Sequence, residues 1–254
     1  IAYGDHHFDL IRIHFPHVAS YAHHKGSSRV TAVPYEKARL QDVYDTFYRA
    51  VIPLLLASSG HYAVVHASSI AVNNRIFAFC GPSGVGKSTL AYALSRYSGV
   101  QVWSDDALVM FLDENHVFSH QLPCRVRLKG DSRALLEKNA NSSPDIESVN
   151  SQTIYHQRSL PVCKIEALFF LEPNEHIEQQ GYRLEKVSAG EAFSLLLQNA
   201  YCFSPDNKCE REILLANCLE ILNKIKKVYR IYYRKKIESI HIVTGTLVHF
   251  FKRT

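Results

Sequence analysis

The chain has 254 residues, 46% of them hydrophobic and 21% charged, with a formal net charge of +5 when histidine is neutral. That is enough apolar material for a large core without a metal or disulfide framework, and the charge suits anionic ligands without amounting to a nucleic-acid footprint. No uncharged apolar run reaches the roughly 20 residues that span a bilayer, and six cysteines without a C-x-x-C pair read as reduced thiols of a cytoplasmic protein.

In chain order, residues 8–15 are strand-prone and are followed by polar turns, which predicts an N-terminal strand or hairpin. Residues 38–56 place Leu40, Val43, Phe47, Ala50, Val51 and Leu54 on one helical face; Pro53 should bend or interrupt the last turn, and Gly60 should end it. Residues 62–66 and 68–72 read as one long kinked strand, Asn73-Asn74 as a turn, and 75–80 as a further strand. A helix over 87–97, stopped by Gly99, leads to a strand over 100–103 and a hairpin of 107–112 with 116–119. The polar stretch 138–157 reads as a loop, and strand character returns at 162–171. Ser188 and Glu191 have capping-box spacing before a helix over 191–200, a second helix covers 208–227, and 240–251 closes the chain with β-branched and aromatic residues.

The sharpest chemical signal is Gly81-Pro82-Ser83-Gly84-Val85-Gly86-Lys87-Ser88, a complete G-x-x-x-x-G-K-[ST] motif between an apolar strand and a helix, with Thr89 following. Glycines let successive backbone N–H groups turn toward phosphate oxygens, and the helix adds its positive end. Lys87 is placed to reach the β- and γ-phosphates of a nucleoside triphosphate, and the Ser88 hydroxyl to bind Mg2+. Asp105 and Asp106 end the next strand, on the same sheet edge as the glycine loop if the strands run parallel. Two carboxylates there can divide labour, one toward the metal and one accepting a proton from an attacking hydroxyl. His66, on the strand before the loop, reads on its own as a packed residue. Seven basic residues between 224 and 236, interleaved with tyrosines, read either as a face for an anionic peptide or nucleic acid or as a solvated surface. The run 167–172, ending in Glu172, could serve as the acidic strand of an ATPase core.

Val65-His66-Ala67-Ser68-Ser69, the glycine loop and Trp103-Ser104-Asp105-Asp106 together resemble the catalytic domain of HPr kinase/phosphorylase and its relatives, from about residue 55 to 128. The resemblance implies an α/β fold, a P-loop domain of the HPr kinase/phosphoenolpyruvate carboxykinase type with a mixed sheet and flanking helices. It also implies one catalytic domain over 1–254: an N-terminal region to about 60, a nucleotide-binding core over about 61–130 and a C-terminal region over about 160–254. Implied too are ATP and Mg2+ as cofactors, a serine hydroxyl of a peptide or protein as acceptor, Asp106 as general base, Asp105 as the metal-side carboxylate and His66 beside the base. The family carries Glu where this chain has Thr89, and its Glu-Ile-Arg-Gly segment aligns with 125–128, which keeps the arginine as Arg127, implied to be catalytic, but not the glutamate. The segment 123–128 is more similar to a smaller group in peptide natural-product pathways, some of them lasso-peptide kinases that phosphorylate a precursor's terminal serine. The alternatives are an HPr-type protein kinase/phosphorylase, a kinase for a small hydroxylated molecule and a nucleotide-dependent switch or ATPase. No membrane partner is expected, nucleic acid is disfavoured, and homo-oligomerisation stays open.

Overall fold

The computed structural model describes residues 3–7, 9–124, 161–177, 182–235 and 237–253. Arg127 and the stretch 138–157, both given expectations above, lie outside the described residues.

The N-terminal segment forms more than a hairpin. Strands β1 (Tyr3–His7), β2 (Leu10–Phe15), β3 (Ala19–His24) and β4 (Val30–Pro34) make a four-stranded antiparallel meander. Alternation buries Ile11, Ile13, Ala19 and Tyr21 on one face. That face packs against Val43, Val51 and Leu55 of the segment that follows.

This segment departs from the expected helix in an informative way. It runs as α1 (Leu40–Thr46), a π-helical turn (Phe47–Val51) and α2 (Ile52–Ser58). Pro53 has no N–H, and in a regular helix its ring would strike the carbonyl of Arg49 four residues earlier. The chain widens just ahead of the proline instead of breaking at it, and the Ile52 N–H reaches back to the Phe47 carbonyl. Gly60, at φ +78°, ends the helix as expected.

The second sheet has nine strands: β5 (Ala63–Val65), β6 (Ala67–Val72), β7 (Arg75–Cys80), β8 (Val100–Ser104), β9 (Leu108–Asp113), β10 (His116–His120), β11 (Val162–Pro173), β12 (Tyr182–Lys186) and β13 (Val228–Tyr233). Its order is β5-β9-β10-β11-β7-β6-β8, with β13 added beside β11 and β12 beside β13. The sheet is mixed: β7 runs parallel to β11 and antiparallel to β6, and β11 is parallel to β13. Asn73 and Asn74, both at positive φ, make the tight β6–β7 turn that their side chains favour.

Two of the pairings explain how the sheet curls. β5 and β6 are one strand interrupted at His66, as the sequence suggested; β8 and β9 are another, interrupted at residues 105–107. The two lie side by side, with Val65 opposite Leu108 before the kink and Ser69 opposite Ser104 after it. Both kinks therefore fall at one level, and the sheet turns back on itself there.

Period-two burial on β7 divides the core. Ile76, Ala78 and Cys80 face α4 (Ala189–Gln198) and α5 (Lys208–Lys224), whereas Phe77 and Phe79 face α3 (Lys87–Leu94) and α6 (Ile237–Arg253). Burying each of those phenylalanines contributes about 1.5–3 kcal/mol. The helix α3 is shorter than the expected 87–97, and α5 stops at Lys224 instead of 227. The segment 240–251 lies within α6. Ser188 caps α4 by accepting from the Glu191 N–H, but Glu191 spends its carboxylate on Arg230.

Candidate active site

The P-loop leaves the end of β7 and feeds α3, which places backbone N–H groups and a helix N-terminus together at the sheet edge. Gly81, Gly84 and Gly86 all have positive φ, at +145°, +78° and +102°. At Gly81 space is also short: a Cβ would lie 3.1 Å from the Leu171 carbonyl oxygen and 3.2 Å from the Val85 side chain. Pro82, Ser83 and Gly84 are exposed at the loop's crown, Val85 is buried as its anchor, and the Tyr233 hydroxyl donates to the Val85 carbonyl. Ser88 and Thr89 are half-buried on the first turn of α3.

Lys87 is 5% exposed and donates to the Gly81 and Pro82 carbonyls at 2.7 and 3.0 Å. Its ammonium thus closes over the loop's own oxygens. Burial pushes its pKa below the ordinary lysine value; Cys80, Asp106 and Asp105 oppose that shift. Burial also pushes the Cys80 thiol up to about 12, so it stays neutral beneath the loop.

The two aspartates face different neighbours. Asp105 is 5% exposed and accepts a 2.6 Å hydrogen bond from the fully buried Ser68 hydroxyl. Ser68 Oγ in turn lies 3.4 Å from Ser88 Oγ. Asp106, at φ +70°, points elsewhere: its Oδ2 lies 3.2 Å from Nε of Arg49 on the π-helical turn. That contact is an ion pair without hydrogen-bond alignment, because the Nε–H does not aim at the carboxylate and finds no acceptor among the described residues. The Asp106 carbonyl is held by two side chains, the His66 ring through Nδ1 at 2.9 Å and the Tyr201 hydroxyl at 3.2 Å. His66 thus sits beside Asp106 but touches its backbone, not its carboxylate. Burial, reinforced by Asp106 and opposed by Arg49, pushes the Tyr201 phenol up to about 12, which keeps it a donor.

The oxygens of Ser88, Ser68 and Asp105 are hard donors. They fit Mg2+, which keeps several waters and takes substrate phosphates as ligands in place of a full protein cage. Among the described residues no group of three or more His, Cys, Asp or Glu side chains forms a denser metal site.

The chain is similar to the structure of the Hpr(Ser) kinase/phosphatase from Coxiella burnetii. The match has 16% identity and a TM-score of 0.35 and covers 75% of this chain and 97% of that one. No family model matches the chain, and no curated protein matches it.

Four residues at this edge had no role in the sequence reading. Ser68 was visible only as part of the Ala67-Ser68-Ser69 string. Arg49 is brought in by the π turn, for which Pro53 was the one local sign. Tyr201 and Asn199 follow α4; Asn199 accepts from the Gly81 N–H at 3.0 Å through its side chain and from the His66 N–H at 2.7 Å through its carbonyl. The first amide of the P-loop and the kink of the β5–β6 strand are therefore tied to one residue. No local pattern marked it.

Two members of the basic segment are engaged by acids. Lys227 pairs with Glu166, and Arg230 lies 3.1 Å from Glu172 and 2.7 Å from Glu191. Glu172, the acid of the ATPase alternative, is thereby engaged by an arginine.

Proposed function

We propose that this chain is an Mg2+- and ATP-dependent phosphotransferase whose acceptor is a serine hydroxyl of a peptide or protein. The observation that carries the reading is the division of the aspartate pair at the lip of a complete P-loop. Asp105 joins the Ser88 hydroxyl through Ser68, while the half-buried Asp106 carboxylate turns toward Arg49.

Phosphoryl transfer asks the protein chiefly for positioning and charge. The backbone N–H groups of residues 83–88 and the Lys87 ammonium would hold the triphosphate, Lys87 exchanging its two loop carbonyls for phosphate oxygens. Ser88 and Asp105 would hold Mg2+, which when bound supplies neutralisation of the phosphate charge. The acceptor oxygen bonds to the γ-phosphorus, its proton passes to the Asp106 carboxylate, and the bond from phosphorus to the bridging oxygen breaks, releasing ADP with the electron pair. His66 and Tyr201 fix the Asp106 backbone and so the arc its carboxylate sweeps.

The narrower reading is a precursor peptide ending in serine, as in lasso-peptide kinases; it rests on the 123–128 resemblance. It places the protein in the cytoplasm. Mass spectrometry of serine-ended peptides after incubation with Mg2+-ATP tests it: a phosphate on the terminal serine is expected, with less transfer when the C-terminus is amidated. Efficient modification of folded HPr protein with none of any peptide would assign the chain to the regulatory alternative. Transfer only to small hydroxylated molecules would remove the peptide.

A further inference from the structure

We propose that Arg49 is a further catalytic residue, which binds the phosphoryl group in flight and, in moving to it, releases Asp106. The proposal rests on the phosphotransferase reading above. Three features of the molecule carry it. First, a π-helical turn presents Arg49 at the site, and such turns cost regular hydrogen bonding and concentrate at functional positions. Second, the guanidinium is poorly served where it lies. Among the described residues its one ion-pair partner is Asp106, and its buried Nε–H donates to no acceptor. A buried donor left unpaired is costly, and a ligand with oxygens in that position would recover that cost. Third, both members of the pair are 34% exposed, so water screens the charge less than it would on the open surface.

The ligand chemistry follows from the donor. A guanidinium offers a planar fork of N–H groups to two oxygens of one anion, and the phosphoryl group in transfer presents equatorial oxygens carrying most of the negative charge. The P-loop brings that group close to the aspartates: the Lys87 ammonium feels both Asp105 and Asp106. While Arg49 holds Asp106 Oδ2, the carboxylate is occupied. When Arg49 turns to the equatorial oxygens, Oδ2 is free to take the acceptor proton as the new P–O bond forms and the bond to the ADP oxygen breaks. Resting enzyme would thus keep base and cation matched against each other until a γ-phosphoryl group arrives to separate them.

The test uses the full chain with two probes, Mg2+-ADP and Mg2+-ADP plus aluminium fluoride, a planar mimic of the phosphoryl group. Wild-type protein should bind the fluoride complex more tightly than ADP. Arg49→Ala should lose that gain, by roughly 10²-fold in line with the removal of one charge-stabilising donor, while ADP affinity stays within about twofold. Free guanidinium should restore part of the gain in Arg49→Ala. Arg49→Lys keeps the charge without the fork; it should retain a fraction of the gain, and it keeps the test open if the alanine variant does not fold. Equal loss of both probes in a folded variant, or no loss of either, would overturn the role of Arg49 and leave the nucleotide site standing. A wild type that binds neither probe would instead overturn the phosphotransferase reading and this inference with it.

Discussion

Replacing Lys87 with methionine should barely unfold the protein yet abolish phosphoryl transfer. The side chain's two bonds, to the Gly81 and Pro82 carbonyls, are charge-assisted and contribute about 1.5–3 kcal/mol each. Against them stands the desolvation of a nearly buried ammonium, which costs several kcal/mol. Methionine removes both terms and fills similar space. What remains is one buried carbonyl left without its donor, so the net destabilisation should not exceed about 2 kcal/mol. On the proposed function ATP would lose its charged partner at the β- and γ-phosphates, which predicts roughly 10²-fold weaker ATP binding with adenosine hardly affected. The pH dependence supplies a second reading. Lys87 has a folded pKa below its unfolded value of 10.5. Between those two values the unfolded chain binds more protons than the native one, so stability rises with pH there. Below the folded pKa the buried charge is carried at a constant cost. Urea melts of wild type should show that added upward slope in the window ending near 10.5, and Lys87→Met should lack it. A loss well beyond 2 kcal/mol at neutral pH would refute the reasoning, because it would make the ammonium a structural strut.

The aspartate pair should separate in a Mg2+ titration: Asp106→Asn lowers kcat by roughly 10²-fold or more with ATP affinity nearly intact, whereas Asp105→Asn raises the Mg2+ needed for half-maximal rate. The opposite assignment would reverse those two curves. Gly81→Ala should cost about 2–4 kcal/mol in urea melts, from positive φ and from contact with the immovable Leu171 carbonyl; an unchanged midpoint would show that the loop relaxes. Tyr201→Phe removes the donor to the Asp106 carbonyl and should lower stability by about 1 kcal/mol and kcat severalfold, with KM for ATP unchanged, in steady-state assays.

What was legible in the sequence was whatever a short stretch of chain encodes alone. The P-loop glycines, the Asn73-Asn74 turn and the kinked strand around His66 all follow from local dihedral demands and apolar periodicity. Asp105 and Asp106 were legible because a carboxylate pair ending a strand near a P-loop is itself a short pattern. The residues that complete the site were not. Asn199 and Tyr201 reach it from beyond α4, and Ser68 is distinguished only by the carboxylate opposite it. The pairing of Lys227 and Arg230 was hidden for the same reason, since the acids that engage them come from β11 and α4. Pro53 announced a disturbance, but only packing decided that the helix would widen at Arg49 instead of breaking.

The two edges of β7 are completed on very different schedules. On one side β6 is joined by a two-residue turn; on the other, Arg75 must find Lys164 across the intervening chain. Closing that large loop costs entropy before any pairing repays it, so the β7–β11 ladder should be among the late events of folding. The P-loop hangs from the end of this strand, and its first glycine packs against Leu171 of β11. A nucleotide therefore meets a finished cradle only after the slow step. ATP should leave the refolding rate unchanged and slow unfolding, acting as a latch on the completed molecule.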